Sequence, residues 1–281
     1  MVAFNLPSTS TACAAARPDT RDSSYVLGDQ GFVYTGVQLE SGLTVRHPAV
    51  LLLSADGTPF SVGVPGEATS HRGAALLVPP RVPRSLDARG VPLLSFNIMP
   101  SHPAFHVFRA MQHPGVRRLD ADGFNHLRPS LEELVFREAA AERAGIVFDQ
   151  AVSEAVRQLP PARPPDLSAL EIVRQIDADP AQSLEALAGA NGQTPQALAR
   201  RFAAAVGMPF REYQNWIKQR RVYEVLYSRR SLTQVALAAG FADSPQFARM
   251  FRRWYGQSPS YSRDPKRVRI VIHPNWRLAR P

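Results

Sequence analysis

The sequence of 281 residues predicts an α+β protein: an N-terminal β-barrel followed by helices, then an all-α domain built of two helix-turn-helix units. Three observations lead there. Residues 31–98 hold short apolar runs rich in β-branched and aromatic residues, separated by Gly, Pro, Asp and Ser. From about residue 101 the apolar spacing becomes helical. Near the C-terminus the phrase "ALAAGFADSPQFARMFRRWYGQSP" (236–259) echoes an earlier one, "ALARRFAAAVGMPF" (197–210).

Taken in order, residues 1–24 lack a basic stretch leading into a sustained apolar core, so they read as a mobile tail rather than a signal peptide. The single cysteine, Cys13, lies in that tail, which excludes an internal disulfide, a multi-cysteine zinc site and a reactive-cysteine repair sensor. No run of about 18 apolar residues is present, so no membrane span is expected and a cytoplasmic, nucleoid-associated protein fits.

Residues 25–160 read as the first globular unit. The runs "GFVYTGVQL", "LTVRH", "AVLLLSA", "FSVGV", "AALLV" and "PLLSFNI" are close-spaced strands of a sandwich or small barrel, with His47 on one of them. In the segment 126–159, Leu131, Leu134, Val135, Ile146, Phe148, Val152, Val156 and Leu159 fall on helical spacing. These helices are expected to fold back on the barrel or pair with a second subunit. Their apolar stripe is wide enough to predict a homodimer formed through residues 1–165. "PPARPPD", with four prolines, marks a linker placed at 161–166. An all-α domain then spans 167–265, and 266–281 is left as a tail.

Charge is unevenly shared. Residues 183–270 carry fifteen Lys and Arg against five acids, a balance of +10 where the whole chain has +9. A basic module joined to a neutral one points to a polyanionic partner for the first, or to a merely solvated basic face.

Aligning Phe202 with Phe251 sets Arg200 on Arg249 and Ala199 on Ala248. Each phrase follows a short Ser-Leu helix, "SLEALAGA" or "SLTQVALAAG", so both copies read as helix, tight turn, helix. Ser183 and Ser231 are candidate N-caps, as are Thr194 before Pro195 and Asp243 or Ser244 before Pro245. Leu198/Phe202 and Phe247/Phe251, four apart, must face the core. That leaves Gln196, Ala199, Arg200, Ser244, Gln246, Ala248 and Arg249 outward, a surface that fits a major groove. The helix expected at 210–227, roughly 27 Å long, separates the two units by near one DNA turn.

These residues closely resemble the DNA-binding domain of AraC/XylS-type transcriptional regulators: Gly240-Phe241, Phe247, Phe251, Gly256, Ser258-Pro259 and Arg263 stand where that family's signature has them. The resemblance covers about eighty residues. It implies double-stranded DNA read in two successive major grooves, with Gln196, Ala199, Arg200, Ser244, Gln246, Ala248 and Arg249 at the bases and Thr194, Arg201, Arg252 and Arg253 at phosphates. It also implies RNA polymerase as a partner and an activator role. Ala199 departs from the longer polar residue often found at its place.

The first region resembles the cupin-like sensor barrel of such regulators. In "GAALLVPPRVPRSL", Gly73 and Pro79 fit the second cupin motif, but Arg84 stands where a metal cupin has a histidine, and no His-x-His pair is present. No metal or other cofactor is expected. Arg84, with His71 nearby, is the candidate site for a small-molecule carboxylate effector; the alternatives are a surface arginine and ordinary hydrogen-bonded histidines at 47 and 71. Two rival readings of the whole stay open: a cupin-type metalloenzyme fused to a DNA-binding domain, and a DNA-binding protein whose barrel only dimerises.

Overall fold

The computed structural model describes residues 23–272, apart from 29, 112–114, 138, 163–166, 180–181 and 227. Residues 1–22, with Cys13, most of the Pro-rich linker and the last nine residues lie outside the described residues.

The N-terminal half is a mixed sheet: β1 (Ser23–Gly28), β2 (Gly31–Thr44), β3 (Ala49–Ser54), β4 (Phe60–Gly63), β5 (His71–Gly73), β6 (Ala75–Val78), β7 (Arg84–Ile98), β8 (Arg117–Arg118) and β9 (Val268–Ile272). The order is β8-β6-β3-β7-β2-β1-β9, with β4 and β5 branching from β7. Among the described residues the path has two ends, so the expected barrel is an open nine-stranded sheet rather than a closed ring. Long β2 and β7 pair antiparallel from Gly31↔Ile98 to Thr44↔Arg84, with irregularities between Gly36 and Gln38 and between Ser41 and Thr44. Such insertions bend and twist a strand. Pairing resumes at Thr44, where β2 ends, and His47 lies in the bend before β3 and not on a strand as expected.

Alternation along the strands gives the sheet two buried faces. Val33, Leu51, Leu53, Leu77, Leu94, Phe96 and Ile98 face a layer made of α1 (Phe105–Arg109), a 3-10 helix (Asp122–Leu127), α2 (Arg128–Phe136) and α3 (Ala141–Arg157). Helix α3 buries Ala144, Val147, Phe148, Ala151, Val152 and Ala155 there. Most of the stripe foreseen as a subunit interface thus packs within its own chain. Ile146, 51% exposed, and Phe136, 47% exposed, are the large apolar side chains left outside on these helices.

The opposite face bears Tyr25, Leu27, Phe32, Tyr34, Val50, Leu52, Leu76 and Leu93, and its apolar cluster runs on into the core of the helical domain. That domain comprises α4 (Leu167–Ala178), α5 (Leu184–Ala190), α6 (Pro195–Val206), α7 (Phe210–Leu226), α8 (Leu232–Ala238), α9 (Ser244–Tyr255) and α10 (Pro259–Arg263). The C-terminal segment is not the expected tail: β9 pairs in parallel with β1 from Ser23↔Val268 to Leu27↔Ile272. The run "VRIVI" is β-branched at four of five positions, and Val268 is buried. The strand ties the far end of the helical domain to the sheet. Strand β1 starts at Ser23, inside the segment assigned to the N-terminal tail.

Candidate nucleic-acid interface and buried arginine pair

The two helix-turn-helix units are α5–α6 and α8–α9. Each helix starts on a side-chain cap: Ser183 accepts from Ala186 N, Thr194 from Ala197 N, Ser231 from Gln234 N and Asp243 from Gln246 N. Ser231 and Gln234 complete a capping box. Asp243, not Ser244, is the cap of α9, which puts Ser244 in its first turn ahead of Pro245. Helices α6 and α9 both end on a left-handed glycine, Gly207 (φ 79°) and Gly256 (φ 74°).

Leu198, Phe202, Phe247 and Phe251 are fully buried, and this fixes the rotation of α6 and α9. The opposite sides carry the residues foreseen. Gln196 and Arg200 on α6, and Gln246 and Arg249 on α9, are exposed; Ala199, Ser244 and Ala248 are half-buried beside them. Gln246 Oε1 accepts from Ala242 N at 3.0 Å, which orients the side chain and leaves its two amide N–H donors uncommitted by that bond. Of the residues assigned to phosphates, Thr194 already caps α6, Arg201 is half-buried, and Arg252 is exposed. Arg253 is exposed too, yet lies at the end of α9 that meets the sheet: its carbonyl accepts from Val45 N, and its charge reaches His47.

Arg84 does not lie on the surface. It is 2% exposed and Arg46, beside it in charge, is 7% exposed. Arg46 Nη1 donates to Asn97 Oδ1 at 2.8 Å, whereas the Nε atoms of both arginines are buried without a partner. Neither forms an ion pair with a described carboxylate. Burial first, and then the charge of Arg46, pushes the Arg84 guanidinium well below its ordinary pKa. Because arginine stays protonated in proteins, this stress is carried as free energy and an anion would relieve it. His71, assigned to the same site, is elsewhere: half-buried at the β4–β5 edge, with Nε2 2.5 Å from Glu67 Oε2. The structure does not join it to Arg84. Arg46 was missed in the sequence because nothing in "LTVRHPAV" marks its arginine as inward.

His47, between these arginines and the helical domain, has a buried Nδ1 without a partner. Burial, then Arg81, then Arg253 push its imidazole down to about 4. Among the described residues no group of three or more His, Cys, Asp or Glu stands together, and no helix is long and apolar enough to cross a membrane.

The arrangement defines a class, a double helix-turn-helix module docked on a β-sheet domain. A family model described as a helix-turn-helix domain matches residues 187–264. The uncharacterised HTH-type transcriptional regulator YpdC of Escherichia coli (strain K12) is 37% identical over 67 residues, 24% of either chain. The match thus spans about a quarter of that curated relative's length. Crystal structures of ToxT from Vibrio cholerae share the fold over most of the chain. ToxT of strain O395 superposes with a TM-score of 0.52 at 14% identity, covering 82% of this chain and 95% of that one. Wild-type ToxT of strain SCE256 bound to an unsaturated fatty acid gives 0.52 at 13% identity, covering 83% and 95%. The C-terminal region of the chain holds a helix-turn-helix domain over residues 187–264, behind a sheet-rich N-terminal region and its helices.

Proposed function

We propose that the chain is a sequence-specific DNA-binding transcription regulator whose N-terminal half responds to an anionic small molecule. The observation that carries the reading is the repeat itself. Two helices, each capped and led by proline, bury paired apolar residues and turn one free arginine outward, Arg200 or Arg249, among small or polar neighbours. A small-sided helix approaches base edges closely, and arginine pairs two-pronged with guanine. Thr194, Arg201, Arg252 and Arg253 are the phosphate contacts of this reading. The module's charge, and its similarity to YpdC, an HTH-type transcriptional regulator, support it. The protein works in the cytoplasm, on the nucleoid, as a homodimer and with RNA polymerase, as an activator. The test is binding of a labelled duplex at several salt concentrations. The reading requires a cognate-over-random preference of at least about a thousandfold, together with a steep salt dependence. Equal affinity for all duplexes at every salt would contradict it.

The effector is a carboxylate held by Arg84 and Arg46. The buried, uncompensated arginine pair supports this, as does the fold shared with a protein crystallised with a fatty acid. Sodium decanoate should raise the melting temperature of the protein, while decanol, the same chain without charge, should not. Stabilisation by both alike would rule out recognition of the anion.

A further inference from the structure

The N-terminal half grips both reading helices at the same place in the repeat. In the alignment that sets Phe202 on Phe251, Ala204 falls on Arg253 and Gly207 on Gly256. The glycine N–H groups bond back to equivalent carbonyls, Ala203 O and Arg252 O. The next carbonyl in each helix, which a helix end leaves without an internal partner, is taken by the N-terminal half. Arg109 of α1 donates through Nη1 to Ala204 O, and Val45 N donates to Arg253 O at 3.2 Å. The glycines lie close against the same elements. An added Cβ at Gly207 would run into the Arg109 stem, and one at Gly256 would come within 2.8 Å of Ser41 Cβ.

The two grips differ in what lies behind them. Arg109 belongs to α1, on the layer covering the far face of the sheet. Val45 sits between Thr44, whose hydroxyl donates to Arg84 O at 3.2 Å, and Arg46, whose carbonyl accepts from Arg81 N at 2.8 Å. The backbone that holds α9 is therefore tied on both sides to the buried arginine pair. Arg81 is the one non-glycine residue with positive φ (66°) among those described, so this segment also holds a backbone conformation that L-residues seldom adopt. A second link from it, Arg81 to Glu212 at the start of α7, is a solvent-exposed ion pair. Pairs of that kind transmit little.

We infer that the N-terminal half is a gauge setting the two reading helices relative to each other, and that the state of the Arg46–Arg84 pair is passed to the second unit, α9, and not to the first. The inference rests on the DNA-reading function proposed above.

The test is selection from a random duplex pool by the full chain, with the two blocks of preferred bases assigned by Arg200→Ala and Arg249→Ala. Thr44→Val keeps the methyl group against Gly256 and removes the hydroxyl, while Arg84→Met removes the buried charge. Both should change base preference by about threefold or more in the α9 block, roughly the worth of one neutral hydrogen bond, and leave the α6 block unchanged. Arg109→Met, which keeps the stem against Gly207, should do the reverse. Equal changes in both blocks, or none in either, would overturn the gauge. A wild-type chain that selects no sequence at all would overturn the proposed function instead, and circular dichroism of each variant separates a lost grip from lost folding.

Discussion

Arg46 and Arg84 lie buried on the sheet with like charges and unpartnered Nε atoms, and Asn97 is the one side chain that answers either of them among the described residues. Burying a charge costs several kcal/mol unless it is paired. The chain therefore carries at this point a cost that a bound anion would offset.

Arg84→Met should stabilise the ligand-free protein by about 1–3 kcal/mol, since an apolar side chain of similar length replaces an uncompensated charge. Chemical denaturation measures it. A loss of stability would mean that the charge is already satisfied. The same variant should lose its thermal response to decanoate.

Stability should fall with pH below neutrality. His47 and His102 are both pushed down to about 4, His47 by burial and then by Arg81 and Arg253, His102 by burial. His102 Nδ1 also accepts from Ala104 N at 3.0 Å, a bond that needs the ring nitrogen unprotonated. In the unfolded chain both titrate near 6.5, so as pH drops the unfolded state takes up protons first. The contribution is whole above pH 6.5, declines between 6.5 and about 4, and is flat below. Between pH 7.5 and pH 5 the loss should be on the order of 2 kcal/mol for each ring and about 4 kcal/mol for the pair, and His47→Gln with His102→Gln should remove most of that slope. A pH-independent stability over this window would contradict the burial of neutral rings.

Ending the chain after Arg267 should expose the edge of β1 and remove the buried Val268 side chain. Val268→Ala alone should cost about 2 kcal/mol. The truncation should cost more and raise hydrogen exchange across Ser23–Leu27. Exchange in β1 unchanged by truncation would show that β9 is not paired there in solution.

Ile146 and Phe136 are the apolar remainder on the outer helices. If the homodimer forms there, Ile146→Asp should convert the full chain to monomer at tens of micromolar in sedimentation, with its fold intact. A variant as dimeric as the wild type would place the interface elsewhere.

Much of this was legible because it is local. Ser183, Thr194, Ser231 and Asp243 announce helix starts by side-chain chemistry that acts within three residues, and phenylalanines four apart declare a buried stripe. The features that escaped are long-range. "VRIVI" has the composition of a strand, but its partner lies more than two hundred residues away, and no neighbouring run offers it a hairpin. Arg46 looks like a surface residue because arginine almost always is one, whereas Arg84 is marked by its place in the cupin-like motif and only its burial beside Arg46 is not. The grips on α6 and α9 use backbone carbonyls, which every residue has, so Ala204 and Arg253 carry no mark of them. His71 stood near Arg84 in sequence alone; strand pairing took it to the β4–β5 edge, beside Glu67.

The central claim is that α6 and α9 read DNA through matched arginines, and base-preference profiling of the full chain against a random duplex pool tests it most directly. The account predicts two preferred blocks about 10 base pairs apart, centre to centre. Arg200→Ala should erase preference at one or two positions in one block and Arg249→Ala in the other, each at about 1–3 kcal/mol on the selected site. Arg252→Ala should weaken all sequences alike and lower the salt slope by roughly one counterion. A uniform loss of affinity in Arg200→Ala and Arg249→Ala, with every base preference retained, would contradict it.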